Sequence, residues 1–102
     1  MKDCCKAYLD EQFGGDADIE NEIYGEYVAS IGGKIAEAEE TLAAENWDAL
    51  DKVFHTIKGN GLMVGDQEMA DTAIALRSHA KLHDSAACAA GVAKLKEIAA
   101  GL

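Results

Sequence analysis

Between Trp47 and Val64 the core-type residues Trp47, Leu50, Phe54, Ile57, Gly61 and Val64 recur in steps of three and four, and no proline occurs anywhere in the 102 residues. Such steps follow the turn of an α-helix and lay one stripe along it, whereas a half-buried strand needs strict alternation. Proline is the residue that removes an internal helical hydrogen bond, so a chain without it favours uninterrupted helices.

The same spacing recurs on either side. Cys5, Leu9 and Phe13 predict a short amphipathic helix ended by Gly14-Gly15, an N-terminal lid over residues 1–13. Asp16 or Asp18 then offers an N-cap for a long helix to about Ala44, with Ile23, Tyr27, Ile31, Ile35, Ala38 and Leu42 on its apolar face and Glu22, Glu26, Glu37 and Glu40 opposite. Gly25, Gly32 and Gly33 weaken this run. Asn46 caps the third helix, which stops at Gly65, and Asp66 caps a fourth carrying Met69, Ala73, Leu76 and Ala80, with Leu82 near its end. A fifth, from Ser85, carries Cys88, Val92, Leu95, Ala99 and Leu102. Links of two to four residues force neighbouring helices to be antiparallel. No strand-like alternation or internal repeat is present. The expected fold is all-α: an antiparallel up-and-down four-helix bundle over residues 16–102 with one short extra N-terminal helix, in a single domain, 1–102.

Charge and composition narrow the function. The longest apolar run, Ala86 to Ala93, falls far short of the ~18 to 20 residues of a membrane span. Met1-Lys2-Asp3-Cys4-Cys5-Lys6 runs straight into charge without a secretory apolar stretch, so the expected compartment is the cytoplasm. Three cysteines without C-x-x-C spacing predict reduced thiols there. The net charge of −10 is uneven: residues 1–51 hold three lysines against fourteen acids, and residues 52–102 hold six basic residues against five acids. Nucleic acid and anionic membrane are poor partners for such a chain, and a protein with a basic face suits it better. A monomer is expected.

The chemistry concentrates in Phe54-His55-Thr56-Ile57-Lys58-Gly59-Asn60-Gly61. His55 lies about 100° round the helix from core residue Phe54, so its imidazole faces solvent. Asp51 and Lys52 precede it by one turn, Lys58 and Gly59 follow by one, and Leu62 by two. Gly59 costs the helix up to ~1 kcal/mol against alanine, which calls for a reason: four residues after His55, it clears the approach to the imidazole. Lys58 places a mobile ammonium near anything attached there. These parts suit reversible phosphoryl transfer to histidine, in which a neutral imidazole attacks an acyl phosphate and the cation offsets phosphoryl charge. No G-x-x-x-x-G-K-[ST] loop and no kinase glycine loop offers ATP a seat, so the phosphoryl group must come from another protein.

Other clusters read more plainly. His79 and His83 have the i, i+4 spacing of metal ligands, and Cys88 follows, but no H-E-x-x-H glutamate or fourth ligand accompanies them, so no metal or other cofactor is expected. One of the two is a candidate to approach His55 across the helical hairpin and tune it. Asp16, Asp18, Glu20 and Glu22 alternate like calcium ligands but lack the loop glycine, and read as a cap and a solvated acidic face. Trp47, Phe54, Tyr27 and Cys88 read as core, and Cys4-Cys5 as incidental to the first helix.

His55-Thr56-Ile57-Lys58-Gly59 resembles the signature of histidine-containing phosphotransfer (HPt) domains, the relay modules of two-component signalling. Phe13-Gly14-Gly15-Asp16 resembles that family's entry to its bundle, Asn46-Trp47-Asp48-Ala49-Leu50 its approach to the histidine helix, and Gly65 a customary turn. The likeness spans about residues 9 to 100. It implies that His55 is the phosphoacceptor, Lys58 the phosphate-stabilising cation and Gly59 the clearance residue. By their place around His55, Asp51, Lys52, Leu62 and Met63 are the expected partner-binding residues. The implied partners are receiver domains, which hold the divalent cation, and the implied role is phosphocarrier, without kinase activity. Asn60, where Ser or Ala is frequent, and Leu62-Met63, in place of a common Gly-Asn pair, depart from the pattern and bear on partner choice. Two other readings share this fold: an acidic helical adaptor or inhibitor that binds a kinase or receiver without being phosphorylated, and the phosphoacceptor domain of a chemotaxis-type kinase.

Overall fold

A computed structural model describes residues 1–102 and contains five helices and no strand. They are α1 (Asp3–Phe13), α2 (Ala17–Ala43), α3 (Trp47–Met63), α4 (Gln67–Lys81) and α5 (Ser85–Ala100). α2 to α5 form the antiparallel four-helix bundle: α2 packs on α3 and α5, and α4 closes the ring against both. At ~1.5 Å rise per residue, the 27 residues of α2 account for the long axis of a 43 × 20 × 19 Å molecule. No helix is long and apolar enough to cross a membrane.

The links share one device. Each has three residues, with a left-handed residue in the middle, Gly15, Glu45, Gly65 or His83, and an acidic or amide N-cap at the end. Asp16, Asn46, Asp66 and Asp84 accept hydrogen bonds from the amides of Ile19, Ala49, Met69 and Ala87. The amides of Asn46, Asp66 and Asp84 bond back to the carbonyls of Thr41, Gly61 and His79, satisfying carbonyls at the helix C-termini. Such tight connections leave the helices no choice but to reverse.

Phe54, Leu50, Ile57, Met69, Leu76 and Leu95 fill the core with no more than 1% exposure. Gly91 sits against the Leu76 side chain, where a Cβ would collide with it, which sets how closely α5 approaches α4. Departures from the expected stripes are local. In α2, Glu20 and Tyr24 are buried while Ile23 and Leu42 are partly exposed, and in α5 Ile98 is buried more deeply than Ala99. Phe13 (39%) and Leu82 (77%) are exposed, because both stand where a helix runs out.

α1 accounts for the larger corrections. It lies over the end of the bundle where α3 turns into α4, with Cys5 and Leu9 fully buried and Tyr8 against Gly65. Cys5 is thus part of the core, not incidental, and burial followed by the neighbouring Cys4 pushes its thiol up to about 12. Asp66 does more than cap α4: its fully buried carboxylate accepts from Lys2 Nζ at 2.8 Å and from the Tyr27 hydroxyl at 2.7 Å, joining α1, α2 and α4. Glu20 does not belong to a solvated face. It is 1% exposed, neither carboxylate oxygen is hydrogen-bonded, and Lys6 Nζ stands 3.6 Å away. Burial and then the neighbouring Asp10 carboxylate raise its pKa above the ordinary glutamate value, against the pull of Lys6.

Candidate functional site

His55 lies in mid-α3, where Phe54 and Ile57 are fully buried, and its imidazole is exposed on the outer face. The ring is held on one side. Arg77, on α4, places Nη1 3.0 Å from His55 Nδ1 while its Nε donates to Asp51 Oδ1 at 2.9 Å and its Nη2 reaches Asp51 Oδ2 at 3.5 Å. Asp51 is one helical turn before His55, so carboxylate, guanidinium and imidazole form a chain across the α3–α4 seam. The Arg77 hydrogen bond holds the Asp51 carboxyl below the usual carboxylate value, and the same bond raises Arg77. With Nδ1 covered, Nε2 is the ring nitrogen left open.

The residues singled out from the sequence are gathered here, with different occupations. Lys58 stands one turn beyond His55, Lys52 one turn before it and Lys81 on α4, none of them paired to a carboxylate. Asp51, expected at the partner surface, is engaged by Arg77. Leu62 and Met63 are 42% and 68% exposed, so they are apolar surface. The two glycines after His55 serve opposite ends. A Cβ on Gly61 would stand 3.1 Å from the Asp66 carbonyl oxygen and 3.2 Å from the Ala70 nitrogen, so Gly61 permits the close crossing of α3 and α4. A Cβ on Gly59 would meet nothing within 4 Å, neither the imidazole nor another helix. Nothing inside the fold requires glycine at 59.

Two contributors were not foreseen. Arg77, the only arginine in the chain, takes the position beside His55 for which His79 and His83 had been candidates. His83 instead stacks on Trp47 with ring centroids 4.9 Å apart, and His79 lines a groove of about 490 Å³ on the side of α4 turned toward α5. No three His, Cys, Asp or Glu side chains converge as a metal site. Ile74, 46% exposed, precedes Arg77 by one turn on the same flank. Because Arg77 meets His55 and Ala70 meets Gly61, the antiparallel register puts Ile74 level with Lys58 and Gly59. The signal available beforehand was the α4 stripe Ala70, Ile74, Arg77 and Lys81, adjoining the core stripe by helical spacing.

An exposed imidazole with one nitrogen held, the other open, and unpaired cations around it are suited to taking up and releasing an anionic group. No curated protein and no solved structure matches the chain. A family model, the Hpt domain, matches residues 22–102, which takes in α3, α4 and α5 whole and leaves out α1. With the match extending over most of its length, the chain belongs to the Hpt domain family, phosphocarriers of two-component signalling that interact with receiver domains.

Proposed function

We propose that His55 is the phosphoacceptor, taking a phosphoryl group from the aspartyl phosphate of one receiver domain and relaying it to the aspartate of another. The observation that carries this reading is the open Nε2 of an exposed imidazole whose other nitrogen is fixed by Arg77. Nε2 attacks phosphorus in line, the bond from phosphorus to the aspartyl oxygen breaks, and the carboxylate leaves. Lys58, joined by Arg77 once the phosphoryl oxygens are within reach, offsets their charge. Gly59 lets the partner's backbone close over the ring. Lys52, Leu62 and Met63, with Ile74 on the opposite flank, form the rim on which the receiver docks, apolar side chains beside cations that match an acidic phosphoacceptor pocket. The chain acts as a carrier without kinase activity, and the divalent cation of the transfer belongs to the receiver.

The test is transfer from a phosphorylated receiver, read by intact mass. Gain of one acid-labile, base-stable phosphate in the wild type and none in His55→Gln is the expected result. Binding to receivers without transfer would replace this reading by that of a non-phosphorylated adaptor.

A further inference from the structure

We propose that Arg77 is a positioning residue that keeps His55 in its unreactive tautomer until a phosphoryl donor arrives. The inference rests on the reading of His55 as phosphoacceptor and follows from hydrogen-bond direction. A guanidinium has donors and no acceptor, so the 3.0 Å contact between Arg77 Nη1 and His55 Nδ1 requires a lone pair on Nδ1. An imidazolium has no such lone pair. The ring in this arrangement is therefore neutral, with its one proton on Nε2.

That proton sits on the nitrogen that faces the partner. Nε2–H has no lone pair with which to attack phosphorus, and Nδ1, which has one, is covered by Arg77. The resting site is accessible yet non-nucleophilic at both nitrogens. Asp51 maintains the arrangement by holding the guanidinium at Nε and Nη2, so that Nη1 points at the ring. Lys52, Lys58 and Lys81 likewise have donors and no acceptor, so none of them can hold a proton on Nδ1.

Release follows from the charge of the donor. Phosphoryl oxygens compete with Nδ1 for the guanidinium, and an anionic acceptor binds it more strongly than a neutral ring nitrogen does. Once Arg77 turns to the phosphoryl group, the ring proton exchanges through water from Nε2 to Nδ1 and Nε2 gains its lone pair. Attack then forms the bond from Nε2 to phosphorus and breaks the one to the aspartyl oxygen, whose electron pair leaves as carboxylate. The proton on Nδ1 stays on the ring, so no further proton acceptor is needed. The cation that stabilises the transferred group thereby also gates the nucleophile, and His55 is poorly reactive toward anything that does not engage Arg77.

The experiment uses the full chain labelled with nitrogen-15. Long-range proton–nitrogen correlation is recorded for the neutral ring of His55 in the wild type and in Arg77→Gln, whose amide oxygen accepts from Nδ1–H. The wild type is expected to show Nε2 protonated, with the other tautomer below roughly one part in ten, given the strength of a charge-assisted hydrogen bond. Arg77→Gln is expected to move the proton to Nδ1 and to react roughly tenfold faster at His55 with diethyl pyrocarbonate, a neutral electrophile that offers the guanidinium no anionic oxygen. Phosphoramidate, a phosphoryl donor too small to need a docking face, should place its phosphoryl group on Nε2 in both proteins. A wild-type ring protonated on Nδ1, a phosphoryl group on Nδ1, or no acceleration in Arg77→Gln would each overturn the proposal while the wild type is still phosphorylated. No phosphorylation of His55 in either protein, by phosphoramidate or by a receiver, would remove the phosphoacceptor reading itself.

Discussion

Replacing Gly59 by alanine should stabilise the protein and slow transfer from a receiver, an opposition of signs that separates clearance from packing. The added methyl meets nothing within 4 Å, so the folded state bears no steric cost. Alanine in a helix interior is favoured over glycine by about 0.5–1 kcal/mol. For a domain of this size, about 1 kcal/mol moves Tm by roughly 4–8 °C, so Gly59→Ala should melt roughly 2–8 °C higher. In the proposed transfer complex the same methyl stands where the partner's backbone closes over the imidazole, and a displacement of that order costs transfer roughly tenfold to a hundredfold. Reaction with phosphoramidate should stay within about twofold, because the methyl does not reach the ring. Gly61→Ala provides the contrast: its Cβ presses on the backbone of Asp66 and Ala70 at 3.1 and 3.2 Å, and overpacking of that kind costs about 1–3 kcal/mol. Thermal and urea unfolding, with transfer measured from one phosphorylated receiver, check both variants. A lower Tm for Gly59→Ala, or transfer from the receiver at the wild-type rate, would refute the reasoning.

Tyr27→Phe removes the 2.7 Å hydrogen bond to the buried Asp66 carboxylate and should lower stability by about 1.5–3 kcal/mol; a shift of the urea midpoint at unchanged m-value is the check. Ile74→Asp should reduce kcat/KM for transfer from a receiver roughly tenfold and leave phosphoramidate reactivity alone. Val28→Asp, at a similarly exposed apolar position on the side of α2 turned away from α3, should change neither. Glu20 carries a raised pKa from burial and from Asp10, with Lys6 opposing, so its stabilising share is complete below the ordinary glutamate value and fades as pH rises through the raised one. Glu20→Gln should therefore gain stability relative to wild type at neutral pH and lose that advantage in mild acid, as read by urea unfolding at several pH values.

Most of the bundle was legible because a stripe every three or four residues names the face a helix buries, and four short links ending in Asp or Asn dictate reversal. His55, Lys58 and Gly59 were legible for the same reason: on one helix, sequence distance is angular distance. Arg77 was not, since its place beside His55 depends on how far α4 slides along α3, and that register is set at the crossing by Gly61 and Ala70. Asp66 was readable as a cap but not as the anchor of Lys2 and Tyr27, which lie 64 and 39 residues away. Glu20 was misread because acidity near a helix start ordinarily means solvent. α1 folds back across it, and no periodicity within α2 carries that information.

The uneven placement of charge along the chain has a kinetic consequence. At physiological ionic strength the Debye length is about 8 Å, well under the 19–20 Å thickness of the rod. An approaching body then responds only to the side it meets: Lys52, Lys58, Lys81 and the Asp51-bound Arg77 around His55, or the carboxylates of outer α2. In dilute salt the screening length grows to about 30 Å, and the same body responds to the whole charge of −10. For an acidic partner the distant field repels while the near field at His55 attracts. Physiological salt hides the first without erasing the second, so ionic strength itself selects which side of the molecule an encounter favours.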